Sequence, residues 1–238
     1  MTAPPRLVPE TAFGHWFLRT RTWEQHVLRV AIHDLQGLLG PPLPPSPVIL
    51  DAGCGQGSSL AMLEAAFAPA ALIGVDLHRP SLDAAAHVAR QLHTPVQLLE
   101  SHCAALALPD SSVDLVFCHQ TLHHIVEQEA TLAEFYRVLK TGGRLLLAES
   151  TEAYIGSWVI RLLFRHPMHV QRSAAGYLQM VRAAGLAFDD VNVSYPYLWW
   201  SRAGDFGLLE RWGIKRPPPP GQRRETLVNV AAYKPPLV

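Results

Sequence analysis

The sequence has neither an excess of one charge nor a long apolar run. Its 238 residues carry 20 basic and 20 acidic side chains, so it lacks the positive field that holds nucleic acid through counterion release. No apolar run approaches the roughly 18 residues that span a bilayer. The opening segment MTAPPRLVPE has no apolar core of a signal peptide. These absences argue against a nucleic-acid partner and against a transmembrane segment.

Cysteine is also scarce. The three cysteines, Cys54, Cys103 and Cys118, are odd in number and show no C-x-x-C spacing, which argues against a disulfide framework and against a zinc site. Reduced cytosol suits such thiols, so we expect a soluble, cytoplasmic protein. A chain of 238 residues is long enough for one well-buried domain with appended elements.

The apolar pattern divides the sequence near residue 47. Helical spacing over residues 11–39 predicts one or two amphipathic helices. The proline-rich stretch Gly40–Pro47 cannot continue a helix, so we expect residues 1–47 to form an N-terminal helical lid and a connector. The alternation that follows predicts βαβ units and a parallel sheet with helices on both faces. Its predicted strands are 48–51, 71–76, 96–100, 113–119 and 144–149, and its helices are 57–67, 80–93 and 129–139.

The last third of the sequence is less regular. Residues 153–165 and 173–184 have a helical pattern, and Gly185 stands where the second helix should end. The segments 190–200 and 225–233 are rich in residues that favour strands. We expect these two segments to pair as a late hairpin.

Three glycines alternate directly behind the first predicted strand, in VILDAGCGQGSS (48–59). Ligands of open parallel sheets bind outside the carboxyl ends of the strands, and glycine there lets a ligand approach the main chain. A loop that only turns tightly for packing is the alternative. The spacing differs from the dinucleotide fingerprint G-x-G-x-x-G. Asp51 before the glycines would repel a pyrophosphate and suits a ligand with an ammonium group.

A second carboxylate, Asp76, ends the next predicted strand, in IGVDLH. At this strand end a carboxylate can accept hydrogen bonds from both hydroxyls of a ribose. The alternative role is a cap for the helix that follows. Together the glycine loop and Asp76 indicate an amino-acid nucleoside as ligand.

Four stretches in order, VILDAGCGQGSS, IGVDLH, LPDSSVDLVFCHQTLHHI and LKTGGRLLLAE, resemble the class I S-adenosylmethionine-dependent methyltransferases, in particular the small-molecule group that includes the ubiquinone and menaquinone enzymes. The resemblance covers about residues 46–150. It implies an α/β, Rossmann-like three-layer sandwich, whose mostly parallel seven-stranded sheet has an antiparallel last strand, with N-terminal helices added. Residues 48–238 would be the methyltransferase domain, with substrate-side insertions at 151–222, and S-adenosyl-L-methionine the cofactor.

The resemblance also implies which residues bind that cofactor. Those of the glycine loop and the second strand are Asp51, Gly53, Cys54, Gly55, Gln56, Gly57, Asp76 and Leu77. Relatives usually have Gly-Asp-Ala after the third strand, and here Ser101, His102 and Cys103 stand there. His102 can meet the adenine edge or stack on it, but it cannot accept a hydrogen bond at every pH as a carboxylate does. Cys103 is expected to close the pocket as a small apolar residue.

Histidines follow the fourth strand, in CHQTLHH. Methyl transfer needs alignment in a dry pocket, and a base only when the nucleophile carries a proton at working pH. His119, His123 and His124 are the candidates, and His119 is expected to touch the cofactor as well. A structural role, as a helix cap or a partner of a backbone carbonyl, is the alternative for His123 and His124.

No metal site is expected from the other histidines. In the stretch HPMH, from His166 to His169, proline breaks the geometry that would put both rings on one helix face. No carboxylate or cysteine spacing accompanies the two histidines. They are expected to border a loop near the substrate.

Aromatic residues are concentrated in two further places. In FGHWFLRTRTW (13–23), Trp16 or Phe17 is expected to cover the cofactor, with Arg21 as partner of its carboxylate, and simple packing on the sheet is the alternative. In YPYLWW (195–200), four aromatics stand where related enzymes build an acceptor pocket, although hairpin packing explains them equally well. The apolar stretch 154–164 is a candidate lid, dimer face or membrane-touching surface.

The sequence therefore predicts a methyltransferase that acts on a small, apolar or aromatic acceptor. A macromolecule-modifying methyltransferase is the nearest alternative, against which stand the balanced charge and the absence of Asn/Asp-Pro-Pro-Tyr after the fourth strand. The glycine spacing disfavours a nicotinamide-dependent oxidoreductase. A non-catalytic cofactor-binding subunit and a homodimer are left open.

Overall fold

Seven strands form one sheet in the computed structural model, which describes residues 11–202, 206–219 and 221–236. The strands are β1 Val48–Ala52, β2 Ala71–Asp76, β3 Val96–Glu100, β4 Val113–His119, β5 Leu139–Ser150, β6 Val193–Ser194 and β7 Leu227–Tyr233. Their order in the sheet is β3-β2-β1-β4-β5-β7-β6. The first five strands pair in parallel, and β7 runs antiparallel to β5. This confirms the Rossmann-like fold that the resemblance implied.

The predicted late hairpin is present, but its first strand is short. Val193 and Ser194 pair antiparallel with Val230 and Asn229. Pro196 follows almost at once, and because proline has no N–H to donate to a ladder it ends the pairing. Residues 195–200 therefore lie outside the sheet.

The described helices flank the sheet. They are α1 Ala12–Phe17, α2 Arg21–Trp23, α3 Arg29–Leu38, α4 Ser58–Phe67, α5 Arg79–Ala89, α6 Gln128–Val138, α7 Glu152–Ile155, α8 Trp158–Leu163, α9 Ala174–Ala183 and α10 Leu208–Arg211. A π-helical turn, Glu24–Leu28, joins α2 to α3. Within these described ranges, no helix is both long and apolar enough to cross a bilayer.

The structure corrects two predicted elements. The helix predicted over 153–165 is two short helices, α7 and α8, because Gly156 ends the first and Ser157 takes an extended conformation. The fifth strand begins at Leu139 rather than 144, since the KTGG residues continue β5 through a register irregularity opposite β4.

The core lies on both faces of the sheet. Alternate residues of β1 point to opposite faces, so Leu50 packs in the cluster that contains Phe135 of α6 and Tyr177 of α9, whereas Ile49 packs in the cluster that contains Leu35 of α3. Because Ala31, Ile32 and Leu35 of α3 belong to this core, the helix packs directly against the sheet. A separate N-terminal unit ending at residue 47 stays a prediction.

Candidate active site

The glycine loop follows β1 and passes the end of β2. Gly53, Gly55 and Gly57 all have positive φ, at +81°, +51° and +86°, a region that side chains disfavour. A Cβ on Gly53 would lie 2.3 Å from the side chain of Thr121, whereas none of the described atoms lies within 4 Å of a Cβ on Gly55. Gly53 is thus required for close packing, and Gly55 leaves open space where a ligand can approach the main chain.

The carboxylate of Asp76 is held by the backbone around it. Its Oδ2 accepts a hydrogen bond from the Gly55 N–H at 2.9 Å, and its Oδ1 accepts one from the His78 N–H at 2.8 Å. The N-cap of α5 is His78, so Asp76 is not the helix cap of the alternative interpretation. Each carboxylate oxygen keeps a further lone pair for a hydroxyl donor.

Asp51, at the end of β1, is 2% exposed. The hydroxyl of Ser59 donates a hydrogen bond to it. Burial raises the pKa of Asp51 to about 7; the Ser59 hydrogen bond opposes the rise, and the charge of Asp76 adds to it. A cationic group placed nearby would restore the ionised form.

A cavity of about 370 Å³ opens beside the loop, within the range of roughly 300–1,000 Å³ typical of small-molecule sites. Most of the predicted site residues line it: Asp51, Gly53, Cys54, Gly55, Gln56, Asp76, Leu77, His102, Cys103, His119, His123 and His124. Gly57 does not line the cavity. A Cβ there would lie 3.0 Å from the backbone of Ala85, so Gly57 lets α4 approach α5 instead.

Of the residues considered as a cover, Phe17 lines the cavity, whereas Trp16 and Arg21 do not. A role for Trp16 and Arg21 toward the cofactor stays a prediction. Phe17 and Trp23 line the cavity, and Phe17 packs edge-on against Phe164, with ring centroids 5.9 Å apart. Trp16 is 59% exposed, and Arg21 is exposed at the start of α2. The helix α1 turns one face inward, and that face carries Phe17 but not Trp16.

The first helix contacts both sides of the cavity mouth. Arg19, just after α1, donates from Nε to Oε1 of Gln56 in the glycine loop at 2.8 Å. At the other end, the Thr11 hydroxyl donates to the Leu163 carbonyl of α8 at 2.6 Å. The sequence did not single out Arg19, since only its neighbour Arg21 was weighed as a basic contact.

His102 stands where the resemblance implied an aspartate. Its Nδ1 accepts a hydrogen bond from the Ala104 N–H at 3.2 Å, and its Nε2 lies 3.8 Å from Oε2 of Glu127. These contacts assign the proton of the neutral ring to Nε2. The chain therefore presents a donor at this position rather than the acceptor that the resemblance implied.

All three thiols are buried. Burial raises the pKa of Cys103 to about 12 and also raises the pKa of Cys54 and Cys118. Thiols that stay protonated are weak nucleophiles. Cys54 and Cys103 therefore serve the cavity as small wall residues.

Glu149, which the sequence reading missed, lies beneath the histidines. This fully buried residue near the end of β5 accepts hydrogen bonds from the N–H groups of Thr121, at 2.9 Å, and Leu122, at 2.6 Å. Its Oε2 lies 2.6 Å from Nδ1 of His123. An acid at the carboxyl end of a buried strand was the available signal, since such a group needs partners.

Three histidine rings meet at this end of the cavity. The ring centroids of His123 and His124 are 4.3 Å apart, and those of His124 and His166 are 4.7 Å apart. Burial lowers the pKa of His166 to about 3 and that of His124 well below its ordinary value, and the charge of His123 adds to both shifts. The sequence pattern related His166 only to His169, which lies exposed. It therefore did not predict that His166 meets His123 and His124.

His119 lies apart from these three rings. It packs between Trp23 and Phe117, at centroid distances of 5.5 and 6.0 Å. Burial, with a smaller contribution from the charge of His123, lowers the pKa of His119 to about 3. Such a ring is neutral at working pH and a weak proton acceptor.

One aromatic of the stretch 195–200 reaches the cavity. Trp200 lines it, and its indole N–H donates to the His26 carbonyl at 3.0 Å. Tyr154 packs edge-on against Trp200, with centroids 5.4 Å apart. Tyr197 instead lies under the guanidinium of Arg223, 4.1 Å from its ring centroid. The pocket and packing interpretations of this stretch each describe part of it.

Residues 50–147 match the family model described as a methyltransferase domain. With the seven-stranded fold and the glycine loop, this match places the domain in the class I S-adenosylmethionine-dependent methyltransferases, enzymes whose cofactor is S-adenosylmethionine.

Individual relatives agree with this class. The ubiquinone/menaquinone biosynthesis C-methyltransferase UbiE of Syntrophotalea carbinolica is 34% identical over 104 residues, which are 44% of each chain. The uncharacterized methyltransferase YcgJ of Bacillus subtilis is 29% identical over 167 residues, 66% of this chain and 64% of that one. The chain thus spans between 44% and 64% of the length of these two relatives.

A solved structure shows the same fold over nearly the whole length. It is a methyltransferase in complex with the Trm112 methyltransferase activator, from Haloferax volcanii. The TM-score is 0.67 at 20% identity, over 95% of this chain and 97% of that one. At this identity the likeness concerns the fold alone.

Proposed function

We propose that the protein transfers a methyl group from S-adenosylmethionine to a small, apolar or aromatic acceptor. One observation carries the proposal: a single cavity joins the glycine loop and Asp76 to an end lined by aromatic side chains, among them Phe17, Trp23 and Trp200. A donor and an acceptor bound in the two ends would meet inside one cavity. Alignment in such a space is the main requirement of methyl transfer.

The residues at the loop end fit this cofactor. Asp76 can accept the ribose hydroxyls, and the open space at Gly55 admits the methionine part. Asp51 favours an ammonium group, and the Nε2–H of His102 can donate to an adenine ring nitrogen. When bound, S-adenosylmethionine supplies an activated methyl group: the acceptor's lone pair forms the new bond to carbon while the carbon–sulfur bond breaks and its electron pair stays on sulfur.

The aromatic end fits an apolar acceptor. Phe17, Phe164 and Trp23 close over it and keep water away from the reacting groups. The planar ring that a quinone-biosynthesis substrate would bring suits stacking on such side chains. The similarity to a ubiquinone/menaquinone biosynthesis C-methyltransferase supports the proposal of such an acceptor.

His123 is the proposed proton acceptor for a hydroxyl or ammonium nucleophile. Its Nδ1 faces Glu149 at 2.6 Å, so a proton taken at Nε2 creates an imidazolium that this carboxylate stabilises. His119 and His124 are weaker candidates, because burial lowers the pKa of each. They would shape the acceptor site as neutral rings.

Glu149→Gln tests this role. Glutamine keeps the shape of the side chain but not its charge, so we expect turnover to fall about 10- to 100-fold and the pH profile to shift, with the dissociation constant for S-adenosylmethionine unchanged. His123→Ala should behave in the same way. Normal turnover of both variants with the true acceptor would mean that catalysis proceeds by alignment alone.

Calorimetry and product analysis test the proposed function. S-adenosylmethionine and S-adenosylhomocysteine should bind and NAD should not. Release of S-adenosylhomocysteine, screened with phenols, thiols, amines and quinone precursors, then identifies the acceptor. Binding of NAD alone would overturn the proposal. Cofactor binding with turnover only on a macromolecule, or with no turnover, would favour the macromolecule-modifying or non-catalytic alternative.

Work in the cytoplasm remains part of the proposal, supported by three buried free thiols that suit a reducing compartment. A homodimer stays a proposal as well. Size-exclusion chromatography with light scattering measures the mass of the assembly directly.

A further inference from the structure

The acceptor end contains a cluster of three histidines, although a general base requires only one. One ring nitrogen from each of His123, His124 and His166 can be chosen so that all three atoms lie within 4.8 Å of one another. The first two follow β4, and the third follows α8. Within the part of the chain that the structure describes, no hydrogen bond holds the rings of His124 and His166.

Glu149 orients this cluster from behind. Its carboxylate lies 2.6 Å from Nδ1 of His123, and two backbone N–H groups fix the carboxylate in turn. With Nδ1 so engaged, Nε2 of His123 is the nitrogen left for another partner. A carboxylate behind a histidine is the usual outer arrangement of metal-binding histidines, since it fixes the ring and raises its basicity as a ligand.

Gln171 joins the two segments that carry the rings. Its Nε2 donates to the carbonyl of His123 at 2.8 Å and to the carbonyl of Pro167 at 3.0 Å. Pro167 is the next residue after His166, so the amide bridges the two sides of the cluster. The ring positions are thereby set relative to one another by the fold and not by the rings alone.

We propose that His123, His124 and His166 bind a divalent transition-metal ion, zinc foremost, at the acceptor end of the cavity. Neutral imidazole nitrogens are preferred ligands of zinc. Three protein ligands with the fourth position left to water or substrate are the pattern of catalytic zinc sites. The cavity lies on the side where that fourth position would open, since all three rings line it.

The distances allow this ion after small side-chain rotations. Tetrahedral zinc, bonded to nitrogen at about 2.0–2.1 Å, holds its ligand atoms roughly 3.4 Å apart. One nitrogen of each ring already lies within 4.8 Å of one nitrogen of each of the other two, so the rings must turn to bring these atoms closer by at most about 1.4 Å. Proline between His166 and His169 does not oppose the site, because the ligands come from separate segments and His169 takes no part.

The ion and a proton would compete for the same nitrogen of His123. A chain with zinc bound would hold the acceptor's heteroatom at the open position instead of taking its proton on the ring. Zinc binding itself needs no methyl transfer, so the two proposals can fail separately.

Metal content tests the site directly. The full chain is stripped with a chelator, given zinc chloride, desalted and measured by elemental mass spectrometry, without cofactor or acceptor present. Cobalt(II) in place of zinc should give the visible absorption of a tetrahedral site. We expect one zinc per wild-type chain and an affinity at least about tenfold weaker in His166→Ala. Zinc should also raise the melting temperature of the wild type but not of the variant.

His169→Ala is the matched control, since it removes an exposed histidine three residues away and should bind zinc as the wild type does. His124→Ala, on the other segment, gives a second measurement if His166→Ala does not fold. The proposal is overturned if the wild type retains no zinc, or if folded His166→Ala or His124→Ala binds zinc like the wild type. Calorimetry with S-adenosylmethionine tests the proposed function separately, because cofactor binding does not depend on whether zinc binds.

Discussion

The two ends of the cavity are built in different ways. At the cofactor end, the main chain of the glycine loop meets one carboxylate, and both follow neighbouring strands, β1 and β2. At the acceptor end, side chains meet from four separate places: Phe17 of α1, His123 after β4, His166 after α8, and Trp200 before the final strand. The first end is fixed by the sheet, and the second by packing among short elements.

Because of this difference, substitutions at the two ends should have different effects. Strand register holds the glycine loop in place, so a substitution in the loop should change cofactor affinity directly. The acceptor end is held by side-chain contacts. A different set of side chains can replace these contacts without a change of fold. We therefore expect large effects on cofactor affinity from the loop and Asp76, and small ones from the cover.

Gly55→Val should give the largest effect. Its φ of +51° puts valine in the left-handed region, at a cost of about 1–2 kcal/mol, and the branched side chain fills space meant for ligand. We expect the dissociation constant for S-adenosylmethionine, measured by calorimetry, to rise about 100-fold or more. Gly142→Val is the control, because Gly142 has a φ of +77° and open surroundings in β5. Unchanged affinity in Gly55→Val would refute the loop assignment.

Asp76→Ala should come next. It removes the acceptor for the ribose hydroxyls and frees the N–H groups of Gly55 and His78, each loss costing about 1–3 kcal/mol when the group stays buried. We expect cofactor affinity to fall about 10- to 100-fold. Asp83→Ala is the matched control, since Asp83 is an exposed partner of Arg79 on α5. Equal affinities in the two variants would contradict a ribose role for Asp76.

The pH dependence of stability tests Asp51. Its folded pKa of about 7 lies above the ordinary value of 3.8, so the folded chain holds a proton that the unfolded chain releases. This contribution to stability is complete below pH 4 and is lost as pH rises to about 7, by up to about 1.4 kcal/mol per unit. Denaturant unfolding from pH 4.5 to 8 should show this loss in the wild type and not in Asp51→Asn. Parallel curves would mean that Asp51 ionises normally.

The cover gives the smallest expected effect. Phe17→Ala opens the aromatic contacts with Trp23 and Phe164, and we expect the KM for the acceptor to rise about 3- to 10-fold, since roughly 1 kcal/mol of packing is lost. Trp16→Ala and Arg21→Ala, both at exposed positions, should stay within about twofold, as for ordinary surface changes. A larger effect at Trp16 than at Phe17 would show that the cover faces the other way in solution.

Most of the residues that the sequence assigned to the cofactor end line one cavity, because their pattern belongs to a single βαβ unit. Strand, glycine loop and Asp76 lie close together in the chain, and a parallel sheet always brings such strand ends to one edge. The acceptor end was harder, because a six-residue helix does not show from its spacing whether Trp16 or Phe17 faces inward. Glu149 lies near the end of β5 and His166 lies in the irregular segment after α8, which no recurrent motif relates to His123, so only tertiary packing brings both to His123.

The first helix links access to the two ends of the cavity. Arg19 touches the glycine loop through Gln56, and Thr11 holds the acceptor-side helix through Leu163. Because one short segment contacts residues at both ends of the cavity, its displacement would open both ends together. Cofactor and acceptor would then share one entrance.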